Sequence, residues 1–354
     1  MNKVSVIVPI YNAEKYLSSS LSNYFEQDYD DIEYILVDDG STDQSLEICR
    51  SFSKTRNNVK IISQKNSGVS KARNAGIENS TGKYLIFLDA DDYVDSNMIS
   101  AMVKEAVKTD ADMVSCGISM ELERKDGSHS VQSNLYYSKS NEVLSSKEEI
   151  NNKMLDLWEK SVPYNSVNKL YKSNLIKENG VLFTDLTMGE DLEFNTRVLL
   201  KCNKIALIPD CFYHYIRERE GAATSKYVKN WFEIRKEENK RILNFFNELR
   251  SPENISSLDS EYIARRFINR VIGCMENEFR SGNPNNKYNA IKQMIEDDEV
   301  QQSARITKRN STAIRILVLL IKNRLAILCY TAIAMISFVK KYSPRLFEYF
   351  KYRR

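Results

Sequence analysis

Histidine is nearly missing from this sequence, and that narrows the available chemistry. Two residues, His129 and His214, in a chain of 354 exclude a multi-histidine metal centre and leave little room for a Ser-His-Asp hydrolase. Cysteine is sparse too. Cys49, Cys116, Cys202, Cys211, Cys274 and Cys329 contain no Cys-x-x-Cys pair, so neither a zinc knuckle nor a disulfide framework is indicated. Only 11 Gly and 6 Pro, against 42% hydrophobic residues, exclude a collagenous, mucin-like or disordered chain and leave enough apolar material for a sizeable core. Long hydrophobic runs are also absent. The opening run from Val4 to Ile10 is broken by Ser5 and Pro9 and no small-residue cleavage site follows, so it reads as a buried strand rather than a signal peptide. Without an export signal or paired cysteines, the body is expected in the cytoplasm.

What is present is unevenly distributed. The chain has 51 basic and 48 acidic residues, a net charge of +3. Residues 302–354 hold 12 Lys/Arg and one acid, Glu348, a net of +11, which leaves 39 basic and 47 acidic residues, −8, for positions 1–301. An acidic body joined to a basic tail points to a nucleic-acid or membrane-surface partner for the tail alone.

Along the body, apolar runs at 4–8, 33–37, 59–62, 84–88 and 112–116 alternate with helix-compatible segments at 13–26, 43–53, 70–79 and 96–108, with Asp43 and Ser96 placed as N-caps. This alternation predicts an α/β fold with a mostly parallel, doubly wound sheet, whose ligands bind at the carboxyl ends of the strands. Residues 121–145 read as an irregular or β-rich insertion, with helices near 146–160, 173–179 and 190–202. From about 225 to 297 the pattern is helical and charged.

Polar clusters fall at the strand ends. The second strand ends in Asp38-Asp39-Gly40-Ser41-Thr42-Asp43, which suits a turn plus a helix cap, or hydrogen bonding to ribose or a base imide. The fourth ends in Asp89-Ala90-Asp91-Asp92. Crowded carboxylates need a cation or donors nearby, so the cluster is either a divalent-ion site completed by substrate phosphates or a solvated acidic turn. Between them, the segment from Gln64 to Gly76 opens a helix and carries Lys65, Lys71 and Arg73, an anion-facing arrangement. Gly189-Glu190-Asp191 starts an amphipathic helix, where acids serve the macrodipole or act as catalytic carboxylates.

In this order the clusters resemble family 2 glycosyltransferases of the GT-A fold. The matching residues are Val8-Pro9-Ile10-Tyr11-Asn12, Val37 to Ser41, Asn66-Ser67-Gly68 with Ala72 to Gly76, Asp89 to Asp92, and Gly189-Glu190-Asp191. Asn165–Tyr171 and Phe212–Arg217 look like segments of bacterial members that build capsule, exopolysaccharide and wall polymers. The resemblance implies that Pro9, Tyr11 and Asp39 frame a uracil, that Arg73 approaches the nucleotide, and that Asp89, in the motif with Ala90, meets the ribose. It further implies that Asp91 holds Mn²⁺ or Mg²⁺ on the diphosphate. Asp191 is then the general base, with Glu190 as its neighbour or an acceptor contact. His214 is a candidate to assist the metal or a structural histidine flanked by tyrosines. No QxxRW motif occurs, which favours transfer of a single sugar over polymerisation.

The expected enzyme is therefore an inverting, metal-dependent transferase using a UDP-sugar donor and a saccharide acceptor carried on a lipid. Domains are expected at 1–220 (catalytic), 221–301 (helical) and 302–354 (basic tail). In the tail, residues 325–339 are uncharged; as a helix they would rise about 22 Å, short of a hydrocarbon core of about 30 Å. Flanking basic and aromatic residues predict an interfacial anchor on the inner, anionic face of the cell membrane rather than nucleic-acid binding. The alternative is a helix pair packed on the body or in a homodimer. The competing functional class is a non-catalytic, transferase-like scaffold.

Overall fold

A computed structural model describes residues 2–123, 129–186, 188–217, 227–250, 252–281, 286–308 and 311–342. The chain divides into two compact units, Met1–Glu220 and Gly221–Arg354.

The first unit is built on β1 (Val4–Ile10), β2 (Ile32–Asp38), β3 (Val59–Ser63) and β4 (Tyr84–Phe87), linked by α1 (Glu14–Tyr24), α2 (Ser45–Ser53) and α3 (Val69–Asn79). Then come β5 (Tyr93–Val94), α4 (Met98–Thr109), β6 (Met113–Ser115), β7 (Ile118–Glu123), β8 (His129–Leu135) and β9 (Glu142–Leu144). The unit closes with α5 (Lys147–Glu159), β10 (Lys169–Lys172), α6 (Ser173–Glu178), α7 (Glu190–Lys201), β11 (Ile205–Leu207) and β12 (Tyr213–Arg217).

Eight strands form one sheet in the order β3-β2-β1-β4-β10-β6-β11-β9. Its first four strands are mutually parallel, while β10 and β9 run against their neighbours. Every residue of β1 is buried, as its near-continuous apolar run requires for a strand covered on both faces. Its polar exception, Ser5, donates to Glu33 Oε1 at 2.5 Å and accepts from the Gly82 amide at 2.9 Å. Helix α3 lies unusually near this strand. A Cβ at Gly76 would stand 2.3 Å from the Ile7 side chain, so glycine is what lets the helix approach. The region read as a β-rich insertion, 121–145, holds the end of β7 and β8, which join β5 and β12 in a second, four-stranded sheet in the order β5-β12-β7-β8, and β9, which edges the large sheet.

The expected caps differ in detail. Asp43 is shared: its Oδ1 accepts from Ser45 N–H on its own helix and its Oδ2 from Glu14 N–H on α1, both at 3.0 Å. Ser96 gives way to Asn97 as the residue preceding α4, and its carbonyl accepts from Asp28 N–H at 2.8 Å instead.

The second unit is helical among its described residues: α8 (Trp231–Arg250), α9 (Ser257–Glu278), α10 (Lys287–Glu296), α11 (Asp298–Ile306), α12 (Thr312–Lys322) and α13 (Ala326–Tyr342). Ser256 and Asp259 form a reciprocal capping box at α9. The core joins Phe267, Val271 and Met275 of α9 to Ile291, Ile295 and Val300, and to Leu317, Ile321, Cys329 and Ile333 of the last two helices. The segment expected as an anchor thus packs one face against its own unit. No helix among the described residues is long and apolar enough to cross a membrane. Arg309 and residues 343–354, whose basic and aromatic side chains entered the tail expectation, lie outside the described residues.

Candidate active site

The carboxyl ends of β1 and β2 are laced together by side chains. Asn12, at a left-handed φ of 49° after β1, accepts from Thr42 N–H at 2.8 Å and donates its own N–H to Ser41 Oγ at 3.1 Å. Gly40 has φ 73°, and a Cβ there would meet the Asn66 nitrogen at 2.7 Å, so this turn admits glycine alone. Asp38 and Asp39 are both buried. Asp38 accepts from the Ser41 amide and Ser63 Oγ, each at 3.3 Å. Asp39 organises the loop after β3: its Oδ1 takes Gln64 Nε2 at 2.7 Å and Ser67 N–H at 2.9 Å, and its Oδ2 takes Gly68 N–H at 2.8 Å. Pro9 is buried beside this corner, and Tyr11 projects half-exposed from it.

The three acids after β4 have different partners. Asp89 pairs with Arg73 Nη2 at 3.0 Å. Asp92 is buried and holds β12, accepting from Tyr213 Oη at 2.6 Å and Ile216 N–H at 3.0 Å. Asp91 lies between them, partly exposed, and Ala90 is buried. The Tyr24 hydroxyl, from α1, fixes the loop backbone, 2.6 Å from the Asp89 carbonyl oxygen and 3.0 Å from that of Asp92. Burial raises the Asp89 carboxyl against the counter-pull of Arg73, and burial with two neighbouring acids raises Asp92 well above the carboxylate range.

Arg73 is the centre of the arrangement. The guanidinium, on α3 and almost fully buried, donates through Nη1 to Asp191 Oδ1 at 2.8 Å and through Nη2 to Asp89, with Glu190 Oε1 3.7 Å from Nη1. Burial works against its charge, but Asp191, Asp89 and Glu190 together raise its pKa further. The Phe183 ring lies 5.1 Å from the guanidinium carbon and stacks on Phe194 at 4.0 Å. Asn74 clamps the Phe183 backbone with two bonds of 2.8 Å.

Glu190 and Asp191 open α7 after Gly189, whose φ is 82°. Burial first, and then the neighbouring Asp191, raise the Glu190 carboxyl. Ser166, just before β10, donates to Asp191 Oδ1 at 2.8 Å. Both bonds to Asp191 go to that oxygen, and Oδ2 accepts none among the described residues. The sequence reading gave Ser166 no role, although it lies in the Asn165–Tyr171 segment quoted for the resemblance. Behind it, Lys169 is fully buried and bonded to the Asn165 carbonyl and Asn168 Oδ1. Burial pushes its ammonium down to about 7.

Of the expected residues, Arg73, Asp89, Glu190 and Asp191 meet directly, Asp39 holds the loop after β3 beside the end of β1, and His214 lies on the smaller sheet. Its Nδ1 meets Glu121 Oε1 at 2.6 Å and its Nε2 meets Asp95 Oδ1 at 3.0 Å, so joining a metal would require release of one carboxylate. No cluster of three or more His, Cys, Asp or Glu that could hold a metal occurs among the described residues. The Asp91 carboxylate is a hard oxygen donor and fits Mg²⁺ or Mn²⁺ only with substrate phosphates completing the shell. A cavity of about 690 Å³, lined by Tyr136, Tyr137, Lys139, Glu142, Lys160 and Pro209, opens at the same edge of the large sheet. Pro209 follows β11, three strands from β4, or roughly 14 Å at ordinary strand spacing.

The chain is similar to known proteins in sequence and in fold. Residues 5–161 match the model of "Glycosyl transferase family 2". Glycosyltransferase GlyG of Streptococcus pneumoniae is 32% identical over 277 residues, covering 75% of this chain and 85% of GlyG. Glycosyltransferase GlyA of the same organism is 32% identical over 239 residues, covering 65% of this chain and 32% of GlyA, so the chain spans about a third of that longer relative. The crystal structure of Staphylococcus aureus TarS 1-349 in complex with UDP-GlcNAc superposes with a TM-score of 0.67 at 23% identity, over 94% of this chain and 90% of that one. The fold is therefore GT-A followed by a helical region, and the chain belongs to glycosyl transferase family 2, a family of glycosyltransferases.

Proposed function

We propose that the protein transfers a single sugar, with inversion, from a UDP-sugar to a hydroxyl of a lipid-linked saccharide at the cytoplasmic face of the membrane, in the synthesis of a surface polysaccharide. The observation that carries this reading is the single guanidinium of Arg73 held between Asp89 and Asp191. It places the carboxylate assigned to the ribose and the one assigned to the acceptor on the two arms of one rigid group.

An acceptor hydroxyl has a pKa of about 16 and must lose its proton as it attacks, which calls for a base within about 3 Å. Asp191 is set for that task. Arg73 and Ser166 occupy Oδ1, fixing the carboxylate plane and leaving Oδ2 for the proton. Glu190 and Asp191 both face the same guanidinium and do not form a pair flanking a scissile bond. That supports direct displacement over a glycosyl-enzyme intermediate. For the donor base, Asp39 uses three acceptor sites on the loop after β3. Of roughly four lone-pair sites on a carboxylate, one remains for a single imide N–H such as that of uracil. Pro9 and Tyr11, at the neighbouring end of β1, are assigned to frame the base there. A uridine donor is also supported by the fold shared with TarS, which was crystallised with UDP-GlcNAc.

Asp91, with the donor phosphates, would hold Mn²⁺ or Mg²⁺, with His214 as a further ligand only if Asp95 or Glu121 lets go; such an ion neutralises charge on the leaving diphosphate. We assign the cavity of Tyr136, Lys139 and Lys160 to the distal part of the acceptor. Segment 161–166 connects Lys160 of the cavity to Ser166, which donates to Asp191.

The test is a panel of UDP-sugars with Mn²⁺, scoring UDP release and protection against thermal unfolding, which reports binding by mass action. A response to one UDP-sugar, with a product anomer opposite to the donor's, is expected. Silence across the panel refutes the donor class, and binding without any transfer would favour the scaffold.

A further inference from the structure

Helices α12 and α13 bury one face and leave the other bare. Leu317, Val318 and Ile321, then Cys329 and Ile333, point into the core of their unit. On the outer side Ile316 and Leu319 of α12 are more than half exposed, followed on α13 by Ile327 (67%), Leu328, Met335 (68%) and Phe338 (63%). These positions recur at helical spacing, and no charged residue interrupts 326–339. A stripe of large apolar side chains on one face is rare on a surface meant for water alone.

The charged side chains lining the groove beside it are all of one sign. Arg305, Lys308, Arg315 and Lys322 line a groove of about 180 Å³ between the end of α11 and α12, and Leu319 lines it too, so groove and stripe are continuous. Arg324 follows in the turn between the helices, exposed and at a left-handed φ of 55°. None of these five cations has an ion-pair partner among the described residues. By contrast, Lys340, at the far end of α13, is tied to Glu276 at 2.5 Å.

We infer that the outer face of α12–α13 docks on an anionic phospholipid bilayer, with the apolar stripe at the acyl boundary and the basic groove receiving a phosphate head group. Charge complementarity selects this occupant. A second copy of the same face would bring five unpaired cations against five, whereas an anionic leaflet attracts juxtamembrane Lys and Arg. Because the inner face stays packed on protein, the helices lie in the interface and do not span it. The inference deepens the proposed membrane-face reading by naming the surface, and its experiment requires no glycosyl transfer, so the two can fail separately.

The full chain is sedimented with vesicles of phosphatidylglycerol in phosphatidylcholine and with phosphatidylcholine alone. Binding to the anionic vesicles only, weakened when salt rises from about 0.1 M to about 1 M, is expected. The double variant Arg315→Ser/Lys322→Ser should lower that partition by about tenfold, and the triple variant Ile327→Ser/Met335→Ser/Phe338→Ser by at least as much, with UDP-sugar thermal protection unchanged in both. If the triple variant misfolds, the charge variant alone decides. Failure of the wild type to bind anionic vesicles at low salt, or equal binding by the double variant, overturns the inference. So does a wild-type dimer in sedimentation equilibrium that the triple variant abolishes, since the face would then belong to a second copy.

Discussion

In the first unit the decisive charges face inward. Arg73 is almost fully buried and is shared among Asp89, supplied by a strand end, and Glu190 and Asp191, supplied by one helix start. In the second unit the cations at the end of α11 and along α12 face outward with no ion-pair partner among the described residues, while a buried ion pair inside that unit, Arg266 with Glu238, links α9 to α8. Burying a charge is costly unless partners compensate, so an inward cluster indicates a geometry that must be held. An exposed cluster beside apolar side chains costs little in isolation and gains its value from what it meets. The lesson is that like residue types report chemistry in one place and an external surface in the other.

This contrast can be tested by the size of the response. Asp191→Asn keeps the contacts to Arg73 and Ser166 yet removes the proton acceptor, so transfer should fall about a thousandfold or more while UDP-sugar protection persists; surviving transfer would break the assignment. Arg73→Met leaves three carboxylates facing one another. It should lose about 3 kcal/mol of stability in chemical unfolding together with donor binding. Ser166→Ala should lower kcat by about fivefold, the worth of one hydrogen bond of about 1 kcal/mol, with donor KM unchanged and partial rescue in Ser166→Thr.

A smaller effect concerns pH. Burial lowers the His214 pKa, but Glu121 and Asp95 outweigh it and the net shift is upward. A base whose folded pKa is raised contributes stability that is complete below its unfolded value of about 6.5 and lost as pH rises through the folded value. Wild type should therefore lose more stability than His214→Gln between mildly acidic and alkaline pH, by less than about 1 kcal/mol. Smallest of all, Arg315→Ser/Lys322→Ser should shift the unfolding free energy by less than about 0.5 kcal/mol; a larger loss would show that those cations serve the fold.

The strands β1, β2 and β4 were legible because each is a nearly uninterrupted apolar run, with the shorter β3 marked by Val59, Ile61 and Ile62, and the motifs at their ends follow at once in sequence. The short strands β10 and β12 were not. The first opens with buried Lys169 after Ser166 and Asn168, all polar, and the second alternates Tyr, His and Ile with half its length at a sheet edge. Their pairing depends on partners far along the chain, such as Ile86 for Leu170 and Ile118 for Tyr213, which local pattern does not encode. The same limit hid Ser166: a serine reveals a bond to Asp191 only when β10 and α7 are brought together. In the tail, sequence established amphipathicity, but which face is buried required the positions of α9 to α11.

The double anchorage of Asp92 has a mechanical consequence. Tyr213 and Ile216 both belong to β12, so the smaller sheet grips the loop that carries Asp89 and Asp91. A displacement of that sheet must drag Asp89 and Asp91 with it, and fixing those carboxylates must stiffen the sheet. Occupancy on one and affinity at the other are then reciprocal quantities: whatever leans on the small sheet is felt, with equal strength, by whatever Asp89 and Asp91 hold.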